Sequence, residues 1–298
     1  MEATGFEDWM AAIQQRVERT LERLLPSPNI APQRLHQAMR YAVLGGGKRI
    51  RPLLCHAAGS LTESDPTRLD IAAAAVELIH AYSLTHDDLP CMDNDTMRRG
   101  KPACHVEFGE ATALLTGDSL QSLALQLLAE HRLCDAPREQ LDMLRILARA
   151  AGSRGMAGGQ ATDLGNVGKT LSREELEFMH IHKTGALIRA AILLGARCGK
   201  PFSTEQAGHL DHFAKTVGLL FQVVDDILDC EASTATLGKT AGKDVEQNKP
   251  TYVSALGISE AKALAAELRE RAYEALMPLG DGALRLRELT EFIVARRF

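Results

Sequence analysis

Residues 68–88 read RLDIAAAAVELIHAYSLTHDD, a stretch rich in alanine and leucine that contains neither glycine nor proline. Alanine and leucine are strong helix formers, so this stretch predicts one long helix. The helix is expected to end near Asp87 and Asp88, because Pro90 removes a backbone donor and disfavours helical geometry at Leu89. The sequence therefore places two acids at the end of an apolar helix.

Helix-forming patterns dominate the rest of the chain as well. They cover residues 9–25, 111–131, 142–153, 173–199, 204–230 and 259–277. No segment alternates with period two for long enough to suggest a sheet. Glycine, proline and polar residues cluster in the intervening breaks, at 45–47, 90–102, 155–170 and 231–250. The pattern predicts one all-α domain over residues 1–298, with roughly ten or more helices.

Composition narrows the class of protein. The chain has 298 residues, a hydrophobic fraction of 45% and a net charge of −5, which gives no indication of nucleic-acid binding. Its six cysteines are scattered without a Cys-x-x-Cys pair, which argues against a zinc site and against a disulfide framework. The acidic amino terminus lacks a signal-peptide pattern, and no apolar run approaches the roughly 20 residues of a membrane span. We expect a cytoplasmic protein with no membrane span.

The segment 86–102, HDDLPCMDNDTMRRGKP, crowds four aspartates into nine positions. Neighbouring carboxylates repel one another and raise each other's pKa unless a positive charge lies among them. Asp87 and Asp88 at the helix end, with Asp93 reaching back from the following loop, form an oxygen-rich set that suits Mg²⁺. The alternative is a solvated acidic turn whose charges pair with the arginines that follow.

A second acidic cluster lies in LLFQVVDDILD, residues 219–229. Asp225 and Asp229 are four residues apart and share one helix face, with Gln222 one turn earlier and Asp226 adjacent. The flanking residues are apolar, which makes this an unfavourable position for three acids. We therefore expect the two clusters to form opposite walls of one metal-lined cavity.

Basic residues form a further set of candidates. GGGKRIRP at 45–52 is a glycine-rich turn that carries Lys48, Arg49 and Arg51. It lacks the Ser/Thr and the strand of a nucleotide P-loop, but its cations suit a diphosphate, because arginine forms bidentate bonds to phosphate oxygens. The alternative is a basic surface loop. His80 lies two helical turns before the first aspartate and points the same way.

Further polar candidates lie later in the chain. Lys183 occurs in HKTG, and LGKTAGKDVEQNKPT at 237–251 has the glycine and lysine content of a mobile lid over phosphates. Gln160 and Asp163, in GGQATD, are weaker candidates. Together the residues predict a site in which Mg²⁺ ions bridge the aspartates to a diphosphate above an apolar interior.

Six motifs in this order resemble those of the trans (E)-prenyl diphosphate synthases, and among these the bacterial farnesyl diphosphate synthases. The motifs are GGGKRIRP, HDDLPCMDNDTMRRGKP, GGQATD, HKTGAL, FQVVDDILD and GKTAGKDVEQNKPTY. The resemblance spans Lys48 to Tyr252. It implies the all-α isoprenoid synthase bundle around a deep apolar cavity, usually as a homodimer.

The resemblance also implies a role for each matching residue. Six aspartates would bind three Mg²⁺ ions and the allylic diphosphate: Asp87, Asp88, Asp93, Asp225, Asp226 and Asp229. The residues that hold isopentenyl diphosphate would be Lys48, Arg51, His80 and Arg99. The allylic diphosphate would be held by Arg98, Lys183, Lys239 and Lys249. The catalytic residues beside the reacting carbons would be Lys183, Thr184 and Gln222.

The implied reaction joins isopentenyl diphosphate to dimethylallyl diphosphate and then to geranyl diphosphate. The allylic C–O bond ionises, the double bond of isopentenyl diphosphate attacks the cation, and the released diphosphate takes the proton. By resemblance Tyr82 forms the cavity floor and favours the fifteen-carbon farnesyl product, although ideal helix geometry puts Ser83 on the face of Asp87. A geranylgeranyl or geranyl product is the alternative.

Three other classes of protein fit the motifs less well. A terpene cyclase typically has Asn, Ser/Thr and Glu in its second motif, whereas this motif is all aspartate. A metal-dependent phosphohydrolase would need further histidine ligands, and a non-catalytic regulatory subunit would not need intact aspartate motifs. At the carboxyl end, Arg296 and Arg297 in ARRF are expected to belong to an exposed tail.

Overall fold

The computed structural model describes residues 5–169, 171–231 and 250–296. The predicted all-α class is confirmed: within these ranges the only strands are the short antiparallel pair Met97–Arg98 and Lys101–Pro102. Of the helices in these ranges, none combines the length and the apolarity that crossing a membrane requires. Lys239, Lys249 and Arg297 lie outside the described residues, as does most of the predicted lid.

The helical elements follow one another with short connections. In chain order the α-helices are α1 (Phe6–Leu24), α2 (Gln33–Val43), α3 (Ile50–Ser60), α4 (Pro66–Asp87), α5 (Cys104–Phe108), α6 (Glu110–Glu130), α7 (Pro137–Ala151), α8 (Met156–Gly165), α9 (Arg173–His180), α10 (Ala186–Arg197), α11 (Thr204–Glu231), α12 (Tyr252–Leu256), α13 (Ile258–Leu276) and α14 (Leu284–Ala295). A π-helical turn, Ile181–Gly185, joins α9 to α10, and a 3₁₀ segment, Met277–Ala283, joins α13 to α14.

Two large apolar clusters form most of the core, one around each helix that carries an aspartate cluster near its end. Helix α4 packs against α6, α3 and α10, and its side chains are buried on all sides from Leu69 to Ile79. Helix α11 packs against α13, α10 and the π-helical turn. A helix that is apolar all round is stable only in the interior. The central position of α4 therefore follows from its sequence.

The predicted break at 155–170 is wrong for its first part, which forms helix α8. Its glycines serve close packing, because a Cβ atom on Gly159 would lie 2.1 Å from the backbone nitrogen of Lys183. The predicted continuous helix 173–199 is also interrupted, by the π-helical turn. Helix α8 and this turn therefore approach each other at backbone distance, next to Lys183.

Helices α3 and α10 also cross closely. A Cβ atom on Gly195 of α10 would lie 2.0 Å from the backbone oxygen of Cys55 in α3. Only glycine leaves room for this approach, and a backbone atom cannot move aside as a flexible side chain can. The crossing fixes the start of α3, where the residues of the glycine-rich turn enter the core.

We predict that Gly195→Ala lowers the free energy of unfolding by about 2 kcal/mol or more, because the added methyl overpacks the crossing. The measurement is a urea unfolding transition. Gly208→Ala is the matched control, since Gly208 is a glycine of α11 at which an added Cβ would meet no atom within 4 Å. The control is expected to be neutral or to stabilise by up to about 1 kcal/mol. Equal effects of the two substitutions would contradict the packing role.

Candidate active site

A cavity of about 310 Å³ opens between α4, α8 and the π-helical turn. Eight of the residues predicted for the site line it: Arg51, His80, Tyr82, Ser83, Asp87, Gln160, Lys183 and Thr184. Its apolar lining includes Leu84, Met92, Met156, Ala157, Ala161 and Leu164. The cavity thus joins charged groups from three parts of the chain to an apolar interior.

Asp87 is a half-buried carboxylate at the end of α4. Burial raises its pKa to about 6, and Asp93 adds to the increase while Lys183 opposes it. The loop folds back over the helix end as predicted, because the backbone nitrogen of Asp93 donates to the backbone oxygen of Asp87 at 2.8 Å. Among the described residues, no cationic side chain forms an ion pair with Asp87. The Asp87 carboxylate is therefore a place where an additional positive charge would be favourable.

Asp88 differs from its neighbour, because Arg98 neutralises it. The guanidinium of Arg98 forms an ion pair with the buried Asp88 carboxylate and also contacts Asp95 at 3.4 Å. Burial lowers the pKa of Arg98, but the hydrogen bond and the charge of Asp88 more than offset this and raise it. Of the two adjacent carboxylates, Asp88 is thus held by an arginine and Asp87 is not.

In the second cluster, Asp226 is the end of a hydrogen-bonded chain. Thr184 Oγ1 donates to Gln222 Oε1 at 2.8 Å, and Gln222 Nε2 donates to Asp226 Oδ1 at 2.8 Å. The other Asp226 oxygen accepts from the backbone nitrogen of Tyr252 at 2.7 Å. Residues of two predicted motifs, HKTGAL and FQVVDDILD, are thus joined in one network. It fixes the Gln222 amide and leaves the lone pairs of the Thr184 hydroxyl available.

Arg296 contradicts the expectation of an exposed tail. Its side chain is buried and donates to the backbone oxygen of Phe221 at 3.0 Å and to Asp225 Oδ1 at 3.2 Å. Its guanidinium carbon lies 3.9 Å from the centre of the Phe221 ring, within cation–π distance. The carboxyl-terminal arginine therefore lies against the second aspartate cluster. Asp229, the last member of that cluster, is buried.

The glycine-rich turn owes its shape to Gly45, Gly46 and Gly47, whose φ angles of 105°, 92° and 127° favour glycine. The following Arg49 is an anchor within the protein. Its buried guanidinium lies 2.5 Å from Glu77 of α4, and its other nitrogens contact Glu18 of α1 and the backbone oxygen of Val43. Arg49, which was predicted with the cations that suit a diphosphate, therefore fixes the turn to two helices instead. The sequence feature that could have indicated this role is Glu77, a single acid within the apolar run of α4.

Lys48 and Arg51, on either side of that anchor, remain in the site. Burial lowers the pKa of Lys48 and of Arg51, and Asp225 opposes the decrease in both. The buried Arg51 Nε has no hydrogen-bond partner in the described chain. Arg99 donates to the backbone oxygen of Gly46 at 2.7 Å, and burial lowers its pKa too. Cations with depressed pKa values are places where an anion would be favourable.

His80 lies beside these arginines in a half-buried position. Burial lowers its pKa well below the usual value, and the charges of Arg51 and Arg99 lower it further. The imidazole is therefore neutral at physiological pH and can donate one hydrogen bond without adding charge. This suits a hydrogen bond to an anion that the arginines already neutralise.

Lys183, at the centre of the π-helical turn, forms an ion pair with the buried Asp163 of α8. Burial lowers the pKa of Lys183, but the charges of Asp163 and Asp87 more than offset this and raise it. Asp163 was a weaker candidate in the sequence, and it supports Lys183 directly. Gln160, one turn earlier on α8, lines the cavity, and neither atom of its side-chain amide has a hydrogen-bond partner among the described residues.

The aspartates do not form a ready-made metal cage. In the parts of the chain that the structure describes, no three His, Cys, Asp or Glu side chains converge so that they could hold a metal ion. The donor set is nevertheless suitable for a hard divalent cation, since it consists of carboxylate oxygens. Any such ion needs further oxygen ligands, which a diphosphate or water would supply.

The fold and the site together define an all-helical protein with a cavity in which acidic and cationic side chains lie above an apolar interior. The polyprenyl synthetase family profile matches residues 32–276. The chain therefore belongs to the polyprenyl synthetase family, which confirms the family predicted from the motifs.

Relatives match over nearly the whole chain. A farnesyl diphosphate synthase of Escherichia coli is 43% identical over 98% of this chain and 99% of its own length. A probable farnesyl diphosphate synthase of Bradyrhizobium diazoefficiens is 47% identical over 96% of this chain and 86% of its own. The crystal structure of a Helicobacter pylori geranyltransferase, complexed with magnesium and isoprenyl diphosphate, is 30% identical, with a TM-score of 0.85 over 99% and 98% of the two chains.

We predict that Asp163→Asn lowers the pKa of Lys183, because burial continues to disfavour the ammonium ion after the opposing charge is removed. In an NMR titration of ¹³Cε-labelled lysine, the Lys183 signal is expected to lose its proton at a lower pH than in the wild type. Asp118→Asn, at an exposed position of α6, is the control and is expected to leave the midpoint unchanged. An unchanged midpoint in Asp163→Asn would contradict the support of Lys183 by Asp163.

Proposed function

We propose that this protein catalyses the Mg²⁺-dependent condensation of isopentenyl diphosphate with dimethylallyl and geranyl diphosphate, giving (2E,6E)-farnesyl diphosphate. The observation that carries the proposal is that one cavity contains both a carboxylate and a guanidinium whose charges are not fully neutralised by the protein. The half-buried Asp87 has no cationic ion-pair partner among the described residues, and burial depresses the pKa of Arg51 in the same cavity. A metal–diphosphate complex satisfies both at once. Farnesyl diphosphate synthases at 43% to 47% identity support the choice of reaction.

The proposed metal-binding set comprises the six aspartates Asp87, Asp88, Asp93, Asp225, Asp226 and Asp229. Protein groups already contact three of them, since Arg98 pairs with Asp88, Arg296 pairs with Asp225 and the Gln222 amide donates to Asp226. Three Mg²⁺ ions per site are proposed, and the bound ions would neutralise the negative charge that develops on the departing diphosphate. The magnesium in the Helicobacter pylori complex supports the choice of metal.

The cations divide between the two substrates. We propose that isopentenyl diphosphate binds to Lys48, Arg51, His80 and Arg99. For the allylic diphosphate we propose Arg98, Lys183, Lys239 and Lys249. Arg51 and Arg99 offer forked donors that fit phosphate oxygens, and the neutral His80 adds one hydrogen bond. Because Arg49 anchors the turn through Glu77, the positions of Lys48 and Arg51 are set before the substrate arrives.

The chain's own groups then protect and stabilise the reacting carbons. The Thr184 hydroxyl gives its hydrogen to Gln222, so its oxygen lone pairs can face the allylic cation. Lys183 holds the departing diphosphate on the same turn, and the diphosphate takes the proton that leaves the product. The apolar walls formed by Met92, Met156 and Leu164 exclude the water that would otherwise quench the cation.

The direct test is incubation of the purified protein with Mg²⁺, isopentenyl diphosphate and dimethylallyl diphosphate, followed by chromatographic identification of the chain length. We expect a fifteen-carbon diphosphate whose formation stops in EDTA. A twenty-carbon or ten-carbon product would retain the mechanism and overturn the product assignment. Absence of condensation by folded protein, also with geranyl diphosphate as the starter, would contradict the function and favour a regulatory subunit.

The product length is proposed to depend on Tyr82. Its ring lines the cavity and is 8% exposed, and its hydroxyl donates to the backbone oxygen of Ala151 at 3.4 Å. The His86 ring contacts it edge-on, at 5.7 Å between ring centres. Ser83 also lines the cavity, with its hydroxyl bonded to the backbone oxygen of His80 at 2.8 Å. Tyr82, which is held on two sides, is therefore the better candidate for a rigid floor.

We predict that Tyr82→Ala shifts the main product from fifteen to twenty or more carbons, because removing the ring deepens the cavity. Products are extracted after turnover with excess isopentenyl diphosphate and separated by chain length. Ser83→Ala is the control, since it removes one oxygen and leaves the ring in place, and it is expected to keep the fifteen-carbon product. If folded, active Tyr82→Ala made the same product as the wild type, Tyr82 would not form the floor.

A cytoplasmic homodimer is the proposed setting. Leu114 and Leu115 of α6 and Leu141 of α7 expose 48%, 54% and 66% of their surface, which supports a subunit contact through these helices. All six cysteines are free thiols, which supports a reducing compartment.

A further inference from the structure

A second cavity, of about 580 Å³, lies behind the π-helical turn, between α7, α10 and α11. Its volume falls within the range of roughly 300–1,000 Å³ that small-molecule sites occupy. Six of its fourteen lining residues are cationic, and none is acidic: Arg145, Arg149, Arg154, Arg189, Arg197 and Lys215. This concentration of positive charge stands out in a chain whose net charge is −5.

Neighbouring acids neutralise only half of these cations. Asp211 pairs with both Arg189, at 2.5 Å, and Lys215, at 2.8 Å, and Asp142 pairs with Arg145 at 3.0 Å. The other three have no hydrogen bond or ion pair among the described residues: Arg149, Arg154 and Arg197. Unpaired arginines around a concave surface are well suited to a multivalent anion, because each offers a planar fork to phosphate oxygens.

The other residues that line this second cavity indicate which chemical group is attached to the anion. Ile146, Ile181 and Leu193 form an apolar wall together with three alanines. The lining contains no phenylalanine, tyrosine or tryptophan on which a nucleobase could stack, which argues against a nucleotide or nucleic acid. A diphosphate attached to a hydrocarbon chain matches both the charged and the apolar part.

We propose that this cavity is a second binding site for a prenyl diphosphate, separate from the catalytic cavity and independent of metal ions. The choice of ligand rests on the proposed function, since that reaction makes such a compound. Arginine and lysine side chains supply the positive charge here, so Mg²⁺ is not needed to bridge acids to the diphosphate. The cavity is lined by Ile181, His182 and Gly185, which belong to the same turn as Lys183 and Thr184. A bound ligand therefore contacts the turn from the side opposite the catalytic cavity.

The test is calorimetric titration with farnesyl diphosphate in EDTA, where condensation cannot occur. We expect the wild type to bind the ligand, and the double variant Arg149→Gln/Arg197→Gln to bind it at least about tenfold more weakly, as the loss of charge-assisted hydrogen bonds implies. Arg138→Gln, at an exposed position on the same helix, is the control and is expected to bind as the wild type does. Inorganic diphosphate is expected to bind more weakly because it cannot contact the apolar wall.

Two results would overturn the proposal: no binding in EDTA, or equal binding by the wild type and the double variant. Inorganic diphosphate that bound as tightly as farnesyl diphosphate would also overturn the assignment of a prenyl ligand. Condensation in Mg²⁺ is measured in parallel, and the double variant is expected to keep wild-type turnover, which also shows that it folds. Failure of the wild type to condense substrates would count against the proposed function and leave the binding result unaffected.

Discussion

Charge that has lost part of its hydration without full neutralisation is the constraint on which the catalytic cavity depends. Asp87 has a pKa raised to about 6, and Arg51 and Arg99 have lowered pKa values, because each has lost hydration without gaining a sufficient partner. The same desolvation favours any ligand that brings the missing charges. Magnesium ions and a diphosphate are complementary in this sense, since each supplies what one set of side chains lacks.

Ion pairs around the cavity hold in place the charged groups that lack a sufficient partner. The pair of Arg49 and Glu77 fixes the glycine-rich turn against α4, and a buried pair of this kind costs roughly 3–5 kcal/mol to break. Asp163 holds Lys183 on the π-helical turn. These contacts orient the site before a ligand binds, so less ordering is left for the moment of binding.

Much of this arrangement could be predicted from the sequence, and the failures have a common cause. Helix α4 and its terminal aspartates follow from local rules, since alanine and leucine favour a helix and Pro90 ends it. The burial of Arg296 depends on Asp225, which lies 71 residues away, and no local pattern reports such a contact. The glycine-containing start of α8 was predicted as a break because the function of Gly159, close approach to Lys183, belongs to tertiary packing.

The most direct test of the central claim counts the metal ions bound to the protein, with Mn²⁺ in place of Mg²⁺ and electron paramagnetic resonance as the readout. The count is made with and without an allylic thiodiphosphate, which binds like the substrate but does not ionise. We predict weak binding of Mn²⁺ alone and three tightly bound ions per chain once the thiodiphosphate is present. Tight binding of the same number of ions without it, or no tight binding in its presence, would contradict the claim that metal and diphosphate complete the site together.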